Sequence, residues 1–247
     1  MIELTRLTKR YGSITAVNDL SLRVTQGEIF GFIGPNGAGK TTTIKMMGGL
    51  IAPTSGTVKV AGADMARDPE KAKRIIGFIP DRPFLYEKLT GMEFLRFTAD
   101  LYGAGDNGFV DRAVRLLSVF SLTEWGNELI ESYSHGMKQR LIMCAALVHE
   151  PRVLVVDEPM VGLDPRGIRL VKDLLKGLSE RGVTIFLSTH TLEVAQNLCH
   201  RIGVIHRGRM IAMGTTTDLK REAGVGEQDL EAVFLRLTEE HAEGAAT

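Results

Sequence analysis

A glycine-rich loop near the N-terminus is the feature that most restricts how this chain folds. Residues 34 to 41 read Gly-Pro-Asn-Gly-Ala-Gly-Lys-Thr and match the phosphate-binding pattern G-x-x-x-x-G-K-[ST]. A mostly apolar run over 28–33 precedes the loop and predicts a buried strand, and residues 42–50 follow with apolar side chains at helical spacing. A strand, a glycine loop and a helix in this order predict a site for a polyphosphate.

The chemistry of this loop is electrostatic. Glycines allow backbone N–H groups to curl around phosphates, and the N-terminus of the following helix adds unpaired donors and a favourable dipole. Lys40 is expected to reach the β- and γ-phosphates, and the Thr41 hydroxyl is expected to bind Mg²⁺. A glycine turn that binds nothing is disfavoured because both flanks fit, but the loop alone does not separate ATP from GTP. The residues predicted to bind the nucleotide here are Gly34, Pro35, Asn36, Gly37, Ala38, Gly39, Lys40, Thr41 and Thr42.

Composition places the chain among ordinary globular proteins. Its 247 residues are 44% hydrophobic and 24% charged, which suits one large domain or one domain with an insertion. Thirty basic residues balance thirty acidic ones, so no net charge attracts nucleic acid, and no nucleic-acid partner is expected. Cys144 and Cys199 lie in apolar helical patterns and predict free thiols in a cytoplasmic protein. We expect neither a membrane span nor a signal peptide.

Strand and helix patterns alternate along the chain, with one helical interruption. Apolar alternation or apolar runs predict strands at 2–8, 20–25, 57–62, 75–80, 153–156 and 183–188, and a hairpin at 202–206 and 209–213. Residues 90 to about 150 are helical in pattern and open with the capping box Thr90-x-x-Glu93. A further helix pattern, at Leu230, Val233, Phe234 and Leu237, marks the tail. The chain therefore reads as an α/β fold with an inserted helical subdomain.

Acidic residues and a histidine follow two neighbouring strands of the predicted sheet. Asp157 and Glu158 end one buried strand, and His190 ends the next. Ligands of open parallel sheets bind beyond the carboxyl ends of strands, so these side chains should meet the phosphates. Asp157 is predicted to hold Mg²⁺ and Glu158 to deprotonate the attacking water, rather than merely to cap a strand. His190 is assigned a catalytic role beside them.

Aromatic residues flank this site and their roles stay open from the residues alone. Tyr11, between the first two strands, fits either an adenine-stacking residue or a rim aromatic packed on a turn. The loop Asp81-Arg82-Pro83-Phe84-Leu85-Tyr86 fits either a partner-docking surface or, more readily, the cap of a local core.

At this point the sequence closely resembles the ATP-binding subunit of an ABC transporter, over nearly its whole length. Ser134-His135-Gly136-Met137-Lys138-Gln139-Arg140 resembles the family's signature motif, Val161-Gly162-Leu163-Asp164 its D-loop, and Ser188-Thr189-His190 its switch histidine. The resemblance implies that Tyr11 stacks on adenine, which selects ATP, and that Ser134 and Gly136 contact phosphate.

The resemblance also implies a fold and an assembly. The fold is a P-loop NTPase core of RecA-like type with a mixed or parallel sheet, an N-terminal antiparallel β region and an inserted α-helical subdomain. One ATP-binding domain would span 1–247, with a catalytic core at about 1–82 and 151–215. The helical signature subdomain would occupy about 83–150 and a C-terminal helical extension about 216–247. Two copies, or a copy and a sister subunit, would close around ATP and Mg²⁺.

A separate transmembrane permease would then be driven by this pair, which would sit on the cytoplasmic face of the membrane. The segment from Asp81 to Tyr86 resembles the loop that touches that partner. Asp81 stands where the family usually has Gln, and we predict that it binds Mg²⁺ or water. His135 and Met137 replace the usual Gly and Gln of the signature. This variant resembles exporter-type subunits for drugs, antibiotics or sodium.

Two alternative functions follow from the same fold family. A soluble ABC ATPase acting on nucleic acid or ribosomes usually adds a coiled coil, zinc-binding cysteines or a second ATPase half, and this sequence has one P-loop and two cysteines. A non-hydrolysing scaffold is disfavoured by Lys40, Asp157, Glu158 and His190. The sequence indicates an ATP-hydrolysing subunit that drives a permease.

Overall fold

The computed structural model describes residues 1–82, 84–224 and 231–236. The strands are β1 (Ile2–Tyr11), β2 (Ile14–Val24), β3 (Ile29–Ile33), β4 (Ser55–Val60), β5 (Ala63–Asp64), β6 (Ile76–Ile79), β7 (Val153–Asp157), β8 (Thr184–Thr189), β9 (Arg201–His206) and β10 (Arg209–Gly214). The α-helices are α1 (Lys40–Met47), α2 (Pro69–Arg74), α3 (Gly91–Leu101), α4 (Phe109–Val119), α5 (His135–Leu147), α6 (Pro165–Glu180), α7 (Leu192–Leu198) and α8 (Thr216–Ala223). Residues 231–236 are also helical.

The larger sheet has six strands in the order β10-β9-β3-β8-β7-β6. All of its pairs are parallel except β9 with β10, which form the predicted hairpin. The loop-bearing strand β3 lies between β8 and β9, in the interior of the sheet. The carboxyl ends of β3, β6, β7 and β8 therefore meet at one edge, where open parallel sheets bind ligands.

Both faces of this sheet are buried, which explains its continuous apolar strands. In β7 the side chains of Val153 and Val155 join one core cluster, and those of Leu154 and Val156 join another. This alternation is the two-residue period of a strand covered on both sides. The first cluster includes α1 and the smaller sheet, and the second includes α3, α4, α5 and α6.

The smaller sheet is antiparallel, in the order β2-β1-β4-β5. It confirms the expected N-terminal antiparallel region. Strands β1 and β2 are longer than the segments 2–8 and 20–25 that the sequence pattern predicts. Tyr11 is the last residue of β1 rather than part of a longer connection, and it pairs with Ile14 across a tight turn. Regular alternation breaks down near this turn, where the register shifts between Leu7 and Arg10.

Helices α3, α4 and α5 form the insertion that the sequence predicts. The Thr90–Glu93 capping box is present, with the Glu93 carboxylate accepting from the Thr90 N–H at 2.8 Å and the Thr90 hydroxyl accepting from the Glu93 N–H at 3.2 Å. Cys144 is buried in α5 and Cys199 follows α7, and both are free thiols. The division into residues 1–82, 83–150, 151–215 and 216–247 stays a prediction.

The described residues include no helix both long and apolar enough to cross a bilayer. In the tail, Val233 is buried within the described helical segment, as the periodic pattern predicts. Leu230 and Leu237, the ends of that pattern, lie outside the described residues. Helix α8, which is capped by Thr215 and Asp218, lies within the range 216–247 that is expected to be a helical extension.

Candidate functional site

The glycine loop between β3 and α1 has a backbone that only glycine accommodates at two positions. Gly39, the N-cap of α1, has φ 108°, and a Cβ there would lie 2.5 Å from the Ala16 carbonyl oxygen. A Cβ on Gly34 would lie 2.3 Å from the carbonyl oxygen of Ile205 in β9. One side of the loop therefore packs directly against the backbone of β2 and β9. Asn36 and Gly37, on the other side, are exposed to solvent.

Lys40 is buried at the start of α1 and its ammonium folds over the loop. Its Nζ donates to the carbonyl oxygens of Gly34 at 2.7 Å and Pro35 at 3.2 Å. Burial lowers the pKa of Lys40, while the nearby charges of Glu158 and Asp157 act in the opposite direction. A phosphate would offer this ammonium a stronger, charged acceptor than two carbonyls. The position suits the predicted role of Lys40 as a phosphate ligand.

Thr41 and Asp157 meet across the sheet edge. The Thr41 hydroxyl donates to Oδ2 of Asp157 at 3.2 Å, and Asp157 is almost fully buried at the end of β7. Burial raises the pKa of Asp157, and the negative charges of Asp81 and Glu158 add to that rise. A hydroxyl and a carboxylate are hard oxygen donors that fit Mg²⁺, which takes its remaining ligands from water and substrate phosphates. Within the described residues no cluster of three acidic, histidine or cysteine ligands forms a closed metal cage.

Glu158 lies directly after Asp157 and is held by three contacts from β8 and its end. Its N–H donates to the Ser188 carbonyl at 3.0 Å, and Oε2 accepts from the Thr189 hydroxyl at 3.1 Å. Oε1 lies 2.7 Å from Nδ1 of His190. Glu158 also has φ 50°, a left-handed conformation that costs a non-glycine residue about 1–3 kcal/mol and is typical of functional sites. These contacts fix the direction of a carboxylate that is a candidate general base.

His190 follows β8 and presents an imidazole that is 59% exposed. One ring nitrogen is used by Glu158, which leaves the other directed away from that contact. Thr189, which sequence reasoning overlooked, belongs to the same arrangement. Its hydroxyl both supports Glu158 and accepts from the Thr191 N–H at 3.0 Å. Its place between Ser188 and His190 at a strand end was the available signal.

Asp81 and Tyr11 lie at the margins of the site. Asp81 is exposed, follows β6, and is close enough to Asp157 to influence its pKa. Tyr11 is 49% exposed at the β1–β2 turn, with the Lys9 ammonium 5.2 Å from its ring centre. Since Ala16 of β2 backs Gly39, the turn that carries Tyr11 lies on the strand that supports the P-loop. An exposed ring there is free to stack on a flat ligand.

Ser134 and Gly136 are not brought to the P-loop of the same chain. Ser134 is the N-cap of α5, and its hydroxyl accepts from the Met137 N–H at 3.3 Å. A Cβ on Gly136 would have the Gly162 carbonyl oxygen, at 3.9 Å, as its nearest neighbour, so this half-buried glycine has room for a methyl group. Gly162 in turn lies against the His135 ring. The N-terminus of α5 is thus an exposed set of anion donors beside the residue 161–164 loop.

Comparisons with known proteins identify the family of this chain. The family model described as "ABC transporter" matches residues 17–161. The linearmycin resistance ATP-binding protein LnrL of Bacillus subtilis is 41% identical over 91% of this chain and 72% of its own length. The bacitracin transport ATP-binding protein BcrA of Bacillus licheniformis is 41% identical over 85% of this chain and 68% of its own length. The chain spans only 41% of a third relative, YbhF of Escherichia coli, at 38% identity.

Solved structures give the same result for the fold. A structure described as an ATP-binding subunit of an ABC transporter has a TM-score of 0.92 and 35% identity, over 96% of this chain and 99% of its own. The ATP-binding cassette MJ0796, solved as a dimer in a post-hydrolysis state with ADP and Pi, has a TM-score of 0.79 at 28% identity. That match covers 87% of this chain and 98% of the cassette. The chain therefore belongs to the ABC transporter family, as an ATP-binding and ATP-hydrolysing cassette.

Proposed function

We propose that two cassettes close face to face around ATP and drive a separate permease, most simply an exporter. The observation that supports closure is the separation of the two anion sites within one chain. The P-loop has Lys40, the acidic pair and His190 beside it, whereas Ser134 and His135 at the N-terminus of α5 are exposed. Since both sites suit phosphate, a second chain bringing its α5 to this P-loop would surround one nucleotide.

The roles within the closed pair follow from the contacts. Lys40 would exchange its two loop carbonyls for the β- and γ-phosphates, and Tyr11 would stack on adenine. Thr41 and Asp157 would hold Mg²⁺, which neutralises phosphate charge when bound, and Asp81 would add a ligand through water. Ser134 and Gly136 of the second chain would contribute a hydroxyl and a close backbone approach.

Hydrolysis would depend on the orientation of Glu158. Its Oε2 is fixed by Thr189 and its Oε1 by His190, so the carboxylate is aimed by contacts from β8. Glu158 would accept a proton from a water beside the γ-phosphate, and positioned general bases contribute roughly 10²–10⁴-fold to rate. His190 would orient Glu158 by donating to it through Nδ1 and, when the imidazole is protonated, would donate to the γ-phosphate through Nε2. Loss of the γ-phosphate removes the shared ligand, so the pair would reopen.

An aromatic surface after β6 supports a permease partner. Phe84 is 78% exposed, and Tyr86 and Phe97 are 50% and 41% exposed. The Tyr86 ring centre lies 6.1 Å from that of Phe84 and 5.4 Å from that of Phe97, so these residues form one patch. The core-capping interpretation suits Tyr86, which also packs on the buried Phe94, but not Phe84. Exposed aromatic patches of this kind mark interaction sites.

The patch also lies where ATP could control a partner. Asp81, which influences Asp157, is three residues from Phe84, so the patch and the nucleotide site share one short segment. Such a connection would place the cassette on the cytoplasmic face of the membrane through its partner. The relatives named for linearmycin and bacitracin make an exporter the simplest choice of permease.

The test is co-purification from detergent-solubilised membranes of the native host. We expect the chain to be recovered with a multi-span membrane protein and Phe84→Ser to lose it while retaining ATP binding. Leu50→Ser is the matched control, since Leu50 is 60% exposed but lies outside the patch. Equal recovery with both variants would contradict the assigned surface. Recovery of ribosomes or DNA in place of a membrane protein would favour a soluble ABC ATPase.

A further inference from the structure

A second concave site lies at the opposite edge of the larger sheet from the nucleotide. Val183, which lines it, directly precedes the amino end of β8, whereas His190 follows the carboxyl end. At about 3.3 Å per strand residue the two positions are roughly 20 Å apart. The remaining walls come from α4, from the end of α5 and the residues that follow it, and from the last turns of α6 with Arg181 after them. No residue assigned to ATP or permease binding lines this groove.

The floor of the groove is apolar and its size is that of a small-molecule site. The cavity measures about 530 Å³, within the 300–1,000 Å³ typical of ligand pockets. Its apolar lining is contributed by Leu116, Val119, Leu147, Pro151, Leu174, Leu178 and Val183. Val119 is 41% exposed and Leu116, Leu174 and Leu178 are only partly buried, so a ligand would remove apolar surface from water.

The rim of the groove is cationic. Arg112, Arg115 and Arg181 line it against a single carboxylate, Glu150. Arg112 is held in place, because its guanidinium donates to the carbonyl oxygens of Val148 and Ala104 and pairs with Asp106 at 2.9 Å. Among the described residues, neither Arg115 nor Arg181 forms a salt bridge, and none joins Glu150 to the three arginines. Two guanidinium groups therefore remain available at the mouth of an apolar cavity.

We propose that this groove binds a small amphipathic carboxylate, with its apolar body on the leucine floor and its carboxylate on Arg115 and Arg181. An apolar pocket with a few convergent charged groups is the usual form of a ligand site. Guanidinium groups recognise carboxylates through paired, charge-assisted hydrogen bonds. A cationic amphiphile with the same apolar body would meet three arginines and is excluded by charge.

Such a ligand would contact three helices of the molecule at once. Its contacts would be shared between α4, the last residue of α5 and the end of α6. Helix α5 begins at the anion donors beside Ser134 and α6 begins beside the residue 161–164 loop, so both helices run from the proposed cassette interface to the groove. Ligand binding at the far ends of these helices can affect ATP binding only if the ligand has different affinities for two arrangements of the helices.

The proposal is tested by calorimetric titration of the full chain with decanoate below its micelle-forming concentration. We expect saturable binding of one decanoate per chain, and no binding of decyltrimethylammonium at the same concentrations. The double variant R115Q/R181Q should bind decanoate at least about tenfold more weakly, because charge-assisted hydrogen bonds are lost. The control is Arg169→Gln, since Arg169 lies on α6 with an 87% exposed side chain and does not line the groove.

A second variant separates the cavity from its rim. Val119→Trp keeps all three arginines but fills the groove from an exposed position on α4, so it should also abolish decanoate binding. Absence of decanoate binding to the unmodified chain would overturn the proposal. Equal affinity in the R115Q/R181Q variant, or equal binding of the cationic amphiphile, would overturn it as well. None of these readouts depends on ATP hydrolysis or on dimer formation.

Discussion

Gly136 offers a prediction in which stability and activity change in opposite directions. It is the second residue of α5, and an added Cβ would lie 3.9 Å from its nearest neighbour, the Gly162 carbonyl oxygen. The single chain therefore has room for alanine. In the proposed dimer, the nucleotide bound to the P-loop of the other chain approaches the backbone at Gly136 closely. The methyl group of Gly136→Ala would then collide with its phosphate.

Both magnitudes follow from this geometry. Alanine stabilises a helix interior by about 0.5–1 kcal/mol relative to glycine, which is an upper bound for Gly136 in the first turn of α5. For a chain of this length each kcal/mol corresponds to about 2–4 °C, so Gly136→Ala should raise Tm by up to about 4 °C. Overpacking a close contact costs about 1–3 kcal/mol, which corresponds to a loss of roughly 5- to 150-fold in ATP-dependent pairing and turnover.

The assays are thermal unfolding without nucleotide and steady-state ATPase activity with Mg-ATP. Gly177→Ala is the matched control, because Gly177 lies in α6 and an added Cβ would meet only the flexible end of Arg181 at 3.4 Å. That variant should gain similar stability and keep its turnover. Normal turnover in Gly136→Ala would refute the close approach of ligand to α5. A lower Tm would refute the local packing argument.

Two further predictions concern the nucleotide site of one chain. Lys40→Ala should abolish binding of Mg-ATP, measured by calorimetry. The control is Lys45→Ala, an exposed position on the same helix, which should still bind Mg-ATP. Retained affinity in Lys40→Ala would contradict the role of Lys40. Asp157→Asn should raise Tm near neutral pH while abolishing turnover. Burial raises the pKa of Asp157 in the folded state, so the ionised carboxylate destabilises the folded chain at pH values above that pKa. On acidification the folded chain takes up this proton before the unfolded chain does, and the destabilisation disappears. The difference in Tm should therefore shrink as the pH falls towards the ordinary value of 3.8, and a constant difference would contradict the assigned cause.

Much of the sheet edge that carries the nucleotide site is predictable, because it depends on which apolar runs form parallel strands and on which residues end them. The apolar runs ending at Ile33, Asp157 and Thr189 are long enough to be buried strands, and parallel strands bring their carboxyl ends to one edge. The capping box at Thr90 depends on neighbouring residues only, and it is observed. The resemblance to a known family then supplies the roles of Ser134 and Gly136, which no contact within one chain reveals.

Features that depend on distant parts of the chain could not be read from the sequence. The P-loop packs against Ile205 and Ala16, which are far from it in sequence. The hydrogen bond from Thr189 to Glu158 likewise joins distant segments. The cationic groove likewise combines Arg115 of α4 with Arg181 after α6. Exposure of Phe84 was also beyond the sequence pattern, because an aromatic in a loop packs inward or outward according to its neighbours.

The central claim is that two chains hold one ATP between the P-loop of the first and the α5 N-terminus of the second. The most direct measurement is sedimentation of Glu158→Gln with and without Mg-ATP, because this change removes the base but keeps the size of the side chain. The account predicts a monomer without nucleotide, a stable dimer with Mg-ATP, and turnover reduced by about 10²-fold or more. A chain that stays monomeric with Mg-ATP and its membrane partner, or a variant that turns over normally, would contradict it.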